Sequence, residues 1–279
     1  MKIAVALAAI GLAASSVNAA PYYVGENIQP QNNVTLNFQN TMTKKDATAG
    51  RADTGNIASI ELRGAYNVNP NVPVSVYLPM YFASKNATAS GSSRTSLGNI
   101  GLGLGWVNTM PSADREMTWG YSLMLNGWAP SSRKAEGSTV AGANPTTDLY
   151  RYTEKAFTGN PTVGLFVAAD QFSAKVNAGY GYTRLGTSGI SNKNLHTFNT
   201  QLGASWHAMP NLHVNAEYNT TYATAAYTQN KKEFLHAIAP SISGNYESIT
   251  GSVFGNIPLD SLTRDIQNVA FGLNVGYMF

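Results

Sequence analysis

The chain has 279 residues, a formal charge of +3 and no cysteine. That balance leaves no electrostatic footprint for nucleic acid, and the missing thiols exclude a disulfide framework and a thiolate metal site. Only 12% of residues are charged while Gly (26) and Tyr (15) are plentiful, and the mean hydropathy of −0.16 is slightly polar.

In chain order, the first element is an export signal. Lys2 supplies a minimal positive region, and Ile3 to Ala14 is an apolar, Ala-rich run of about a dozen residues. Ser15 to Ala19 is a small-residue segment of the kind that precedes cleavage, with Val17 and Ala19 as the small residues before the expected cut after Ala19. A cut after Ala20 would place Pro21 at the scissile bond. The apolar run is too short for an anchor helix, which needs roughly 20 residues to cross a bilayer. Residues 1–19 are therefore expected to be a signal peptide, and 20–33, which lack alternation, a short periplasmic extension.

From residue 34 to 279 the pattern is that of strands, alternating with a period of two. About twelve segments qualify, each near or above the 9–11 residues that a tilted membrane strand requires. Their expected spans are 34–44, 56–68, 73–84, 96–108, 116–128, 162–170, 172–184, 195–208, 211–224, 234–245, 248–258 and 267–279. In the last, Val269, Phe271, Leu273, Val275, Tyr277 and Phe279 share one face, while Ala270, Gly272, Asn274 and Gly276 share the other. The tenth contains Pro240, which forfeits a ladder bond, and the eleventh is Gly-rich and ends at Pro258.

Connections alternate in length. Short turns fall at Asn69 to Val72, Met110 to Asp114, Asp170-Gln171, Met209-Pro210 and Asn245 to Glu247. Longer ones fall near 45–55, 85–95, 129–161, 185–194, 225–233 and 259–266. Short periplasmic turns and long extracellular loops, with both termini periplasmic, produce this alternation. The expected fold is all-β: a transmembrane antiparallel β-barrel of about twelve strands with an even number of crossings. Its small, polar face, such as Gly101, Gly103 and Gly105 opposite Ile100, Leu102, Leu104 and Trp106, is expected to turn towards water in the lumen and its apolar face towards lipid. Trp106, Trp119, Tyr121, Trp206, Tyr222 and Tyr277 are placed for interfacial girdles.

The final strand, ending Gly276-Tyr277-Met278-Phe279, resembles the C-terminal strand of Gram-negative outer-membrane proteins. That resemblance implies an outer-membrane location, and recognition of the terminal aromatic, Phe279, by the barrel-assembly machinery. Pro73 to Pro79 (PVSVYLP), followed by Ser96-Leu97-Gly98-Asn99-Ile100-Gly101-Leu102-Gly103, is similar to a family of outer-membrane barrels. Members are called transporters or meta-pathway of phenol degradation proteins. Asn99 stands where that family usually has Asp.

Parity assigns Glu61, Arg63, Lys175 and Glu217 to the lumen, with Tyr77, Tyr81, Trp128 and Phe166, as pore-lining candidates. Rings of charge set ion selectivity, whereas opposite charges paired across the lumen brace a barrel. The long loop 129–161 carries Arg133, Lys134, Glu136, Asp148, Tyr150, Arg151 and Tyr152, and is long enough to fold into the pore.

An enzyme would need a Ser and a His in hydrogen-bond reach and a third group orienting the His. His207 and His213 flank the Met209-Pro210 turn on the inward face, and His196 lies on the lipid face near the outer end of its strand. No GxSxG or HExxH sequence occurs. No catalytic residue, metal or cofactor is expected. The expected function is a passive outer-membrane channel or transporter for small molecules, apolar or ring-shaped solutes among them. A non-conducting structural or adhesive barrel comes second, and a lipid-modifying enzyme third. Expected partners are outer-membrane lipid and lipopolysaccharide, the assembly machinery and a small solute.

Overall fold

The computed structural model describes residues 32–44, 55–84, 93–113, 116–133, 150–186, 193–224 and 233–279. The signal segment 1–19, residues 20–31 of the extension, and Lys134, Glu136 and Asp148 lie outside them, as do the central parts of most long loops.

Thirteen strands run in chain order: β1 (Asn33–Thr43), β2 (Gly55–Asn69), β3 (Val72–Ala83), β4 (Arg94–Leu97), β5 (Gly101–Pro111), β6 (Met117–Trp128), β7 (Ala156–Ala169), β8 (Phe172–Leu185), β9 (Asn194–Met209), β10 (Leu212–Ala223), β11 (Glu233–Tyr246), β12 (Ile249–Pro258) and β13 (Gln267–Met278). Each is antiparallel to its neighbour, and β1 pairs with both β2 and β13, so the sheet closes, with only the short β4 paired on one side among the described residues. β4 and β5 both pair with β3 and are two halves of one position in the wall, broken at Gly98-Asn99-Ile100. The barrel thus has twelve positions, as the alternation implied. Closure pairs most of the ladder internally, which is the condition for a sheet in lipid.

Burial follows parity around the wall. On β1, Thr35, Asn37, Gln39 and Thr41 are buried while Val34, Leu36, Phe38 and Met42 are exposed. The inside is therefore polar and the outside apolar, the inverse of a soluble barrel. Two aromatic girdles ring the outside. Tyr66, Trp106, Trp119, Phe172, Trp206, Tyr246 and Tyr277 lie towards the short-turn end, and Phe82, Phe157, Tyr180, Phe198, Phe234 and Phe271 towards the long-loop end. Phe198 and Trp206 on β9 are eight residues apart, about 26 Å along the strand, or about 20 Å across the membrane at a tilt of about 40°, so the girdles bracket most of an apolar band about 25 Å tall.

Two departures from the sequence reading have physical causes. The strand expected over 162–170 begins at Ala156, because Gly159 and Pro161 on its outer face hide the apolar alternation. Pro161 lacks an N–H, and the pairing of β7 with β8 skips Asn160 and Pro161. Pro240 does the same to β11, whose pairing with β12 skips Ala239 and Pro240 while the strand continues. The stretch read as a loop over 259–266 contains a one-turn helix, α1 (Ser261–Ile266). Asp260 caps it, its Oδ1 accepting the Thr263 N–H at 2.6 Å and its Oδ2 the His236 N–H at 3.1 Å.

The glycine face is a further correction. Gly101 faces inward but does not meet open water. A Cβ there would lie 2.7 Å from Trp128 Nε1 and 3.0 Å from the Tyr77 ring, and one on Gly103 would lie 2.6 Å from the Asn126 side chain. The small residues are seats for large side chains from neighbouring strands.

Candidate functional site

The eight residues singled out by parity all point inside the barrel. Glu61, Arg63, Tyr77, Tyr81, Trp128 and Glu217 are buried, Lys175 is nearly so, and Phe166 packs on Ala168. Seven of them fall into two groups, one on β2, β3 and β6 and one on β8 and β10, joined to residues that parity could not supply, while Phe166 stands apart on β7 over Gly120.

The first group lies on β2, β3 and β6. Asn37 donates to Glu61 Oε1 at 3.4 Å, and Arg63 stacks over the Tyr77 ring at 5.5 Å, a cation–π contact. Tyr77 donates to Asn126 Oδ1 at 3.4 Å and stacks near Trp128, centroids 6.0 Å apart. The counter-charge of Glu61 is Arg151, whose Nε lies 2.9 Å from Oε2.

Arg151 belongs to the connection between β6 and β7, where residues 150–155 fold into the barrel. Tyr150, Arg151, Tyr152, Thr153 and Glu154 are all buried. The Tyr150 ring stacks on Trp128 at 5.5 Å and its hydroxyl bonds to Thr197 on β9, also accepting from Asn199 Nδ2 at 2.8 Å. Burial raises the Tyr150 phenol above its ordinary range, more than these hydrogen bonds lower it. Tyr152 meets Tyr81 edge-on at 5.8 Å and donates to the Met80 carbonyl at 3.2 Å. Lys155, at a positive φ of 49°, turns the chain back into β7.

What holds this segment is the break in the wall at Asn99. Its Nδ2 donates to the carbonyls of Tyr150 (3.0 Å) and Thr153 (2.8 Å), and its Oδ1 accepts the Ser132 N–H at 3.0 Å. The Ser132 hydroxyl donates to the Tyr152 carbonyl at 3.2 Å. Both arms of the long loop are thus tied to one buried amide. In the sequence Asn99 stands out only within a family resemblance, and Tyr150, Arg151 and Tyr152 only as members of a long loop. Three large side chains in an otherwise small and polar loop were the available signal.

The second group lies on β8, β9 and β10. Lys175 Nζ is 3.8 Å from Glu217 Oε1. Between them Gln201 donates to Glu217 Oε2 at 2.7 Å and accepts from Asn177 Nδ2 at 2.9 Å. Glu61 thus pairs with Arg151, and Lys175 with Glu217 across β8 to β10, while Arg63 packs over the Tyr77 ring.

The histidines separate. His207 and His213 meet edge-on at the short-turn rim, ring centroids 4.7 Å apart. His207 Nε2 is 3.2 Å from Ser173 Oγ, and its Nδ1 is 3.0 Å from the Asp170 carbonyl. A hydroxyl and an imidazole are in reach, yet the orienting group is a backbone carbonyl rather than a carboxylate. Among the described residues no three His, Cys, Asp or Glu side chains gather to hold a metal. His196 and His236 lie on the outer wall, each bonded through Nδ1 to a tyrosine hydroxyl, Tyr180 at 2.6 Å and Tyr218 at 3.1 Å.

A closed barrel with an apolar belt, two aromatic girdles and a polar, charge-paired interior defines the class: a transmembrane β-barrel with the fold of outer-membrane proteins. The chain is similar to an outer-membrane channel from Pseudomonas putida F1, with a TM-score of 0.60 at 11% identity over 96% of this chain and 100% of that one. It is also similar to the NanC porin, with a TM-score of 0.54 at 8% identity over 89% and 100%. No protein-family model matches the chain, and no curated protein matches it in sequence.

Proposed function

We propose that the chain is an outer-membrane channel of a Gram-negative bacterium, for passive passage of small molecules and without enzymatic activity. In this reading a signal peptide, residues 1–19, is removed after export, and residues 20–33 form a periplasmic extension. The assembly machinery engages the last strand, and lipopolysaccharide and phospholipid surround the wall. The observation that carries it is the interior: paired charges and amides line a closed wall, and one loop segment, 150–155, narrows it. The inward rings of Tyr77, Tyr81, Trp128, Tyr150 and Tyr152 favour solutes that offer an apolar or ring face. The names of the similar structures, a channel and a porin, agree.

Conductance of the purified, refolded protein in a planar bilayer tests this. Single-channel steps are expected, and Lys175→Glu, which sets two carboxylates beside Gln201, is expected to shift selectivity towards cations. Absence of conductance under every condition overturns the channel in favour of a structural barrel whose interior is packed shut. Phospholipid hydrolysis that disappears with Ser173→Ala overturns the non-enzymatic part.

A further inference from the structure

The polar groups of the outer wall are not scattered. Over β8 and β9, towards the long-loop end, Tyr180, Tyr182 and Arg184 share the lipid-facing side of one strand, and Asn194, His196 and Phe198 that of the next. Tyr180 bonds His196 Nδ1, and Tyr182 donates to Asn194 Oδ1 at 3.0 Å. Tyr182 also stacks on the imidazole, centroids 5.4 Å apart. Above this belt stand Arg184 and Lys193, both exposed. Among the described residues no carboxylate pairs with either; the neighbouring Lys155, whose carbonyl accepts the Gly186 N–H, is paired with Glu154 at 3.0 Å.

On the other side of the belt the wall is dented. A groove of about 690 Å³ crosses β5 to β9 along the hydrogen-bonding direction, lined by Trp106, Leu125, Val163, Ala178, Tyr180 and Phe198. Ala178 forms its floor because its neighbours on the lipid face are the larger Val176 and Tyr180. Tyr180 and Phe198 belong to both features: they end the groove and begin the belt. From Tyr180 to Arg184 the strand rises four residues, about 13 Å.

We propose that this face binds one phosphorylated glycolipid of the outer leaflet. An acyl chain lies in the groove, sugar hydroxyls meet Tyr182, Asn194 and His196, and a phosphate sits between Arg184 and Lys193. The spacing selects this occupant. A glycerophospholipid sets its phosphate close to its chains, whereas here a belt of hydrogen-bonding groups separates groove from cations, the span that a sugar fills. Charge complementarity supplies the rest, since basic groups beside a membrane attract anionic headgroups. The inference rests on the reading that the long-loop end faces outside.

The test is retention of lipopolysaccharide by the purified barrel in detergent, read by native mass spectrometry against dephosphorylated lipopolysaccharide and phosphatidylglycerol. Wild-type protein is expected to retain lipopolysaccharide and release the other two. The double variant Arg184→Glu/Lys193→Glu is expected to lose at least about thirtyfold in retention, since each cation beside an anionic head contributes about 1 kcal/mol, while keeping its conductance. Retention unaltered by the double variant, or preference for phosphatidylglycerol, overturns the proposal. Orientation is read separately. The chain has no cysteine, so Lys193→Cys labelled by an impermeant maleimide on intact cells shows that this end faces outside. Failure to label overturns that orientation, and the glycolipid site with it, without bearing on whether the barrel conducts.

Discussion

At the scale of single residues, Asn99 has the clearest chemistry. It sits in the gap between two half-strands, fully buried, with two donors aimed at two carbonyls and one acceptor aimed at an N–H. Only an amide has that combination. A carboxylate would present a charged acceptor to the Tyr150 and Thr153 carbonyls, so the Asp usual at this place in the resembled family does not suit the contacts made here. Asn99→Asp is expected to cost about 2–3 kcal/mol through two lost donors and buried acceptors left facing each other. The cost falls on the inward segment rather than on the barrel ladder. Trypsin cleavage after Arg151, which is buried in the wild type, measures the release; a variant as resistant as wild type would show that Asn99 is not the tether.

At the scale of elements, the wall was legible and the inward loop segment was not. Parity finds a strand whenever one face meets lipid, because that face must stay apolar along its whole length. It therefore placed β8 within a residue, and put Glu61, Lys175 and Glu217 on the inner side. It lost the first six residues of β7, where Gly159 and Pro161 stand on the lipid face. It missed the break at Gly98 to Ile100, although the parity slips there: Leu97 and Ile100, three residues apart, are both exposed, and Gly98 and Asn99 between them are both buried. Residues 150–155 carry no period at all; their position follows from partners that are distant in the chain, Asn99, Glu61, Trp128 and Thr197. Hence half of the ion pair was named as a pore candidate and the other half only as a loop residue. Removing one partner of such a pair leaves a buried charge without compensation, at about 3–5 kcal/mol where water is excluded and less where the lumen is wet. Glu61→Gln and Arg151→Gln are each expected to loosen the segment and enlarge the single-channel step. The double variant should be less perturbed than the two singles sum to, since both charges go together. Additive effects would show that the two side chains do not act as a pair.

At the scale of the whole molecule, the determining event is closure of β13 onto β1. The seam runs from Asn33 opposite Met278 to Thr41 opposite Ala270 in unbroken register, and nothing in lipid could replace those bonds if it failed to form. Gly272 lies at its middle, opposite Gln39, and the inward Phe254 ring of β12 rests directly on it. A Cβ on Gly272 would overlap that ring, so any larger residue must displace Phe254, bend β13 or open the seam. The same arrangement recurs where Phe166 covers Gly120 and Trp128 covers Gly101, which spreads the interior's large rings around the wall. Only at the seam, however, does the seat bear on closure. Gly272→Leu is expected to prevent folding to the compact, heat-modifiable form seen on gels, whereas Phe254→Ala alone leaves it folded. Combining Gly272→Ala with Phe254→Ala is expected to restore closure that Gly272→Ala alone impairs, because the removed ring vacates the space that the new methyl takes. Equal folding of Gly272→Ala with and without the ring would place the determinant of closure elsewhere along β1 and β13.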